Sequence, residues 1–211
     1  MPAYPFMQVD AFTDRPLGGN PCAVVFDADG LDDAAMLAVA REMNLSETAF
    51  VVRSDRADFG VRYFTPAEEI PLAGHPTIAT TFALVEAGRL ALGGPQTAIT
   101  LEMPAGVVPV EIDAREGRVE RITMSQLKPR FLAMVAAEEA LPAFSLSPED
   151  ALPGTPIQVV STGTSQLMIP LRSHDALRRA QVDVPAYIAL REQYAFFSPH
   201  LFCLQGITEG G

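Results

Sequence analysis

Asn44-Leu45-Ser46-Glu47-Thr48-Ala49-Phe50, followed by Phe64-Thr65-Pro66-Ala67-Glu68-Glu69-Ile70-Pro71-Leu72-Ala73-Gly74-His75-Pro76-Thr77, decides the reading of this chain. The first stretch sets a carboxylate, Glu47, in a turn that leads into the apolar strand Ala49-Phe50-Val51-Val52. The second closes a strand, crosses a loop and opens a helix on Gly-His-Pro-Thr. Pro76 presets the first helical turn, and the free backbone N–H groups around it favour an anion. A carboxylate beside apolar surface has its pKa raised by desolvation and then accepts and returns a proton near neutral pH. Together the two stretches suit proton movement on a small anionic molecule.

Each residue also has a plainer reading. Glu47 between Ser46 and Thr48 is equally a solvated turn glutamate or a cap on nearby N–H groups. Gly74 lets a ligand approach the backbone closely. His75 donates to a carboxylate or shuttles a proton, or simply bonds a loop carbonyl. The helix dipole lowers a histidine pKa at this end and favours the neutral imidazole. Glu68-Glu69 reads as a solvated loop edge.

Outward from this region, Met7 to Thr13 and Cys22 to Asp27 read as strands around the turn-rich Asp14-Arg15-Pro16-Leu17-Gly18-Gly19-Asn20-Pro21. Leu31 to Met43 reads as a helix capped by Asp32 or Asp33. Ala49 to Arg53 and Phe59 to Thr65 form paired strands, and Pro76 to Glu86 is a helix with Gly88 past its end. Thr97 to Met103, Gly106 to Asp113 and Arg118 to Ser125 are strands, and Lys128 to Pro153 is a linker with one or two short helices. From Pro156 the order strand, Gly-containing turn, strand, helix, strand repeats, through Ile157-Gln158-Val159-Val160, Ser165 to Leu171, helices at Asp175 to Ala180 and Pro185 to Gln193, and a strand from Leu201 to Ile207. This suggests two similar domains, 1–127 and 128–211.

The 211 residues allow a sizeable core. A 48% hydrophobic and 19% charged composition is that of a globular chain. The net charge of −11 argues against nucleic acid. No apolar run approaches a membrane span and no signal peptide precedes the first strand. Cys22 and Cys203, each in an apolar run, read as buried reduced thiols of a cytoplasmic protein. Three His and two Cys without ligand spacing make zinc an unsuitable guest. Gly18-Gly19-Asn20-Pro21 is no dinucleotide fingerprint, and Gly163-Thr164-Ser165-Gln166 lacks the serine-hydrolase elbow.

The combination of Gln8-Val9-Asp10-Ala11-Phe12, Gly18-Gly19-Asn20-Pro21, Asn44-Leu45-Ser46-Glu47-Thr48, Arg62-Tyr63-Phe64-Thr65-Pro66 and Gly74-His75-Pro76-Thr77 resembles the PhzF family. Ser161-Thr162-Gly163 to Pro170-Leu171 and Gly206-Ile207-Thr208 extend the resemblance over nearly the whole chain. It implies an α/β (α+β) fold of two pseudo-symmetric diaminopimelate epimerase-like domains, each a sheet curled around a central helix, with the site in the cleft between them. It implies a cofactor-free isomerase, usually a homodimer, taking a small anionic metabolite such as dihydro-hydroxyanthranilate. Glu47 matches the family's proton-moving glutamate. His75, with Gly74, Pro76 and Thr77, matches the first-domain site turn, and Asn20 and Ser46 lie in ligand-side loops.

Ala73 stands where family members often carry Cys, which disfavours a racemase or epimerase built on two opposed thiols. The second domain's acidic site turn and its central helix are not found before Gly211. The resemblance leaves them to further chain or to a separate C-terminal fragment. A scaffold with half its site lost would serve instead as a metabolite-binding or protein-interaction module.

Overall fold

The computed structural model describes residues 3–206. The chain divides into two compact units, residues 1–127 and 128–211.

In the first unit, eight strands form one sheet. β1 (Phe6–Ala11) pairs antiparallel with β2 (Asn20–Val25), and β2 runs parallel to β3 (Glu47–Val52). β3 pairs antiparallel with β4 (Phe59–Phe64), which carries the two-residue β5 (Glu69–Ile70) on one side. β4 also runs parallel to β6 (Gln96–Met103), and β7 (Gly106–Arg115) and β8 (Arg118–Met124) complete the order β1-β2-β3-β4-β6-β7-β8. The sheet curls around one helix, α2 (Gly74–Glu86), which touches β1, β2, β3 and β8.

Sequence explains why α2 can be enclosed. Ala79, Thr80, Thr81 and Ala83 are small and fully buried, so strands approach on nearly every side. Its threonines are poor helix formers, but Thr77 and Thr81 turn their hydroxyls back onto the carbonyls of Ala73 and Thr77, at 2.6 and 2.8 Å. The helix begins two residues earlier than its proline suggests, at Gly74.

On the opposite face of the sheet lies α1 (Asp33–Met43). Asp32 caps it by accepting from the Ala35 N–H at 2.8 Å, and Met36 and Ala40 pack with Val25, Phe50 and Phe64. Asn44 ends it in the left-handed conformation, φ 52°, and so turns the chain toward β3. Glu47 is therefore the first residue of that strand rather than part of a turn before it.

The second unit has the sheet order β12-β11-β10-β9. β10 (Ile157–Ser161) and β11 (Ser165–Leu171) are antiparallel, and β11 runs parallel to β12 (Ser198–Cys203). α3 (Ala137–Ala140), α4 (His174–Arg179) and α5 (Val184–Tyr194) accompany them, around a core of Leu141, Phe144, Val159, Leu167, Ile169 and Leu171. Antiparallel pair, helical crossover, parallel strand is also the order of β1, β2, α1 and β3, so the repeated pattern is a repeated topology.

Four further expectations are corrected. The stretch 128–153 is not only a linker with short helices: Arg130–Val135 forms β9, paired with β10. Glu69 is no solvated loop edge: it sits in β5 and accepts from Nε and Nη2 of Arg62, at 2.7 and 2.6 Å. Cys203 is half-buried, whereas Cys22 is fully buried. The strand expected at Leu201–Ile207 ends at Cys203, and Ile207 lies outside the described residues, as do Thr208 to Gly211.

Candidate active site

Alternation along the strands sorts the first unit's residues by face. Cys22 pairs with Glu47, and Val24 with Ala49, which pairs in turn with Tyr63. These residues share the sheet face that holds α2, and Thr48, Phe50 and Phe64 share the face that holds α1. Glu47 thus points to the concave side, at the strand end beside the start of α2.

There it meets His75. Glu47 Oε2 and His75 Nε2 lie 3.4 Å apart, with side chains only 17% and 9% exposed. The contact is close enough for an ion pair but does not close into a hydrogen bond, and both atoms are buried with no hydrogen-bond partner among the described residues. A buried polar atom left unpartnered costs about 1–3 kcal/mol, so two facing each other mark a place that an incoming group would satisfy.

Burial holds the His75 pKa below the ordinary histidine value, against the charge of Glu47 and a hydrogen bond to Pro21. Nε2 is the ring atom that faces the Glu47 carboxylate. A single proton between Oε2 and Nε2 satisfies both, and such a pair can take up and release one proton.

The start of α2 adds the second element. No side chain caps it, and a methyl group built on Gly74 would meet no atom within 4 Å. The helix end is therefore open above its first residue, where backbone N–H groups and the helix dipole favour negative charge. Asn20 opens β2 two residues before Cys22, on the same face as Glu47, and is exposed, as are Ser46 and Gly74. The loop before Asn20 is tightly built. A Cβ on Gly19 would come within 2.2 Å of the Ala11 carbonyl oxygen, and Asp10 accepts from the Leu17 N–H at 2.7 Å.

Not every residue singled out from the sequence faces solvent. Pro76 and Thr77 are buried, and the Thr77 hydroxyl is engaged with Ala73 and with Tyr63 Oη, 2.9 Å away. Two neighbours were not singled out as site residues. Tyr63 is fully buried under the start of α2. Cys22 lies beside Glu47, but burial, aided by the Glu47 charge, pushes its thiol up to about 12, despite an opposing backbone hydrogen bond at Ala49. It is not a proton-moving thiol at neutral pH.

A separate cavity of about 1370 Å³ flanks α2 between β1 and β8, lined by Val9, Ile78, Phe82, Val119 and Ile122 among others; neither Glu47 nor His75 reaches it. No group of three or more His, Cys, Asp or Glu suited to a metal occurs among the described residues. Among them, no helix is long and apolar enough to cross a membrane.

Comparison with known proteins gives the family. The family model described as phenazine biosynthesis-like protein, PhzC-PhzF, matches residues 9–205. The uncharacterised isomerase YddE of Salmonella typhimurium is 40% identical over 188 residues, which is 88% of this chain and 62% of that protein. The trans-2,3-dihydro-3-hydroxyanthranilate isomerase of Pseudomonas fluorescens is 36% identical over 182 residues, 84% of this chain and 61% of that protein. The chain thus spans about three fifths of the length of these relatives. Among solved structures, a predicted epimerase from Pseudomonas aeruginosa superposes with a TM-score of 0.79 at 33% identity, covering 95% of this chain and 70% of that one. A PhzF-family protein of Bacillus anthracis gives 0.76 at 34% identity, over 97% of this chain and 68% of that one.

Proposed function

Because the chain belongs to the phenazine biosynthesis-like PhzC-PhzF family, we propose that it is the proton-moving part of a cofactor-independent isomerase acting on a small anionic metabolite. The observation that carries this is the buried, unpartnered pair of Glu47 Oε2 and His75 Nε2, 3.4 Å apart. Glu47 takes a proton from a carbon next to an unsaturated system. The C–H electron pair moves into that system, and the proton returns to another carbon on the same face. No electron is gained or lost overall, so the step needs no redox partner. His75 stabilises the protonated Glu47 through Nε2. The open end of α2 at Gly74 holds the substrate carboxylate and the charge that develops on it.

The substrate class follows the relatives. The Pseudomonas fluorescens protein is named for trans-2,3-dihydro-3-hydroxyanthranilate, and that compound or a related unsaturated amino acid is the candidate. A homodimer is part of the same reading. A two-thiol racemase is not favoured, because Ala73 holds no thiol and Cys22 is buried with a raised pKa.

The test is proton NMR of trans-2,3-dihydro-3-hydroxyanthranilate with the protein in heavy water. The reading expects the double bond to migrate, with hydrogen lost at one carbon and hydrogen or deuterium gained at another. A substrate that binds and emerges unchanged at every carbon would make the chain a binder instead.

A further inference from the structure

The Glu47–His75 pair does not hold itself in place. A pair joined by a direct hydrogen bond would fix its own geometry, but here neither facing atom bonds the other. Something in the scaffold sets their separation, and the buried chain of hydroxyls under α2 identifies it.

Thr77 has one hydroxyl proton, and it goes to the Ala73 carbonyl at 2.6 Å, since a carbonyl can only accept. The 2.9 Å contact between Tyr63 Oη and Thr77 Oγ1 is therefore donated by tyrosine. This single polarity requires a protonated phenol. Burial holds the Tyr63 pKa well above the ordinary tyrosine range, so the phenol is protonated at neutral pH. The chain Tyr63 to Thr77 to Ala73 ties β4 to the residue that precedes α2 and to its fourth residue. His75 lies between those two tethered points.

Tyr63 is itself well anchored. It pairs with Ala49 on β3, two residues along the same face from Glu47, and with Ile70 on β5. One phenol thus refers the start of α2 to the strand that carries the carboxylate.

We infer that Tyr63 is a positioning residue for the Glu47–His75 pair: acting through Thr77, it fixes the first turn of α2 so that His75 Nε2 stands opposite Glu47 Oε2 without closing onto it. This rests on the proposed proton-moving role of that pair.

Loosening the turn has two outcomes for His75, and both raise its pKa. If the ring closes on Glu47, the carboxylate stabilises the imidazolium. If the ring moves toward water, the burial that depresses it is relieved. Glu47 is the titratable group that faces the ring, and the thiol of Cys22, its partner across β2 and β3, has a raised pKa and stays neutral through this range.

The experiment follows the Cε1–H signals of the three imidazoles by NMR through a pH titration of the 211-residue protein and its Tyr63→Phe, Thr77→Val and Thr77→Ser variants. Tyr63→Phe and Thr77→Val are expected to raise the His75 midpoint by about one unit and to leave His174 and His200 alone. Thr77→Ser keeps the hydroxyl and should titrate like the parent. With trans-2,3-dihydro-3-hydroxyanthranilate, Tyr63→Phe should lower kcat more than it raises KM. A His75 midpoint unchanged in both Tyr63→Phe and Thr77→Val, with only the unfolding temperature lowered, would make Tyr63 a plain core residue and overturn the inference. The titration needs no turnover. A protein that fails to isomerise the compound would sink the functional reading while the His75 result still decides this one.

Discussion

Replacing Gly74 by alanine separates folding from ligand binding at one atom. The residue opens α2, has ordinary right-handed backbone geometry, and a Cβ built on it meets nothing within 4 Å. The added methyl therefore meets no wall, and alanine narrows the unfolded ensemble, so the protein should become about 0.4–1 kcal/mol more stable. The same methyl would stand over the N–H groups where a substrate carboxylate is proposed to sit. Displacing a bound group by one methyl in a fitted pocket costs about 1–3 kcal/mol, or roughly 10–200-fold in kcat/KM. Urea unfolding gives the first quantity, and initial rates with trans-2,3-dihydro-3-hydroxyanthranilate give the second. A less stable variant would contradict the open space over Gly74. A stable variant with unaltered kcat/KM would show that the ligand does not approach this helix end.

Thr48, fully buried on the α1 side of β3, has a hydroxyl with no partner among the described residues. Thr48→Val keeps the shape and removes that cost, so the urea midpoint should rise by the equivalent of about 1 kcal/mol with no change in turnover. Leu84 is fully buried in α2, and Leu84→Ala should cost about 2–5 kcal/mol, read in the same unfolding experiment. His75 is held below the ordinary value of 6.5, chiefly by burial, so the unfolded chain binds the proton more readily. Its contribution is a loss of stability as pH falls from 6.5 through the depressed folded value, and His75→Gln should flatten that part of the stability–pH curve.

Much of the first unit was legible in the chain because its signals are local. Asp32 before an apolar helical face gave the start of α1, and the strands read at Thr97 to Met103 and Gly106 to Asp113 fall within β6 and β7, which alternate in burial. What escaped were features whose cause lies far away in sequence. β9 shows no alternation, since Arg130 to Met134 are all exposed and only Val135 is buried; its pairing with β10 makes it a strand. Glu69 looked solvated because its partner, Arg62, comes from the neighbouring strand.

At the site, Glu47 and His75 stood out by their surroundings in sequence, but their approach to 3.4 Å is a property of the curled sheet. Thr77 stood out for the wrong reason: its hydroxyl faces the interior, engaged with Ala73 and Tyr63. The signal for Tyr63 was present in a weak form. A polar-tipped aromatic in the apolar run of β4 needs a buried partner, and a threonine in the first turn of the following helix can supply one.

The account turns on Glu47 as the group that moves the proton. The most direct measurement compares turnover of trans-2,3-dihydro-3-hydroxyanthranilate by the protein and by Glu47→Gln, alongside substrate binding by calorimetry. Glutamine keeps the shape and cannot exchange the proton. Turnover should fall by roughly 10²–10⁴-fold while binding changes little. A Glu47→Gln protein that turns over at the parent rate would contradict the account.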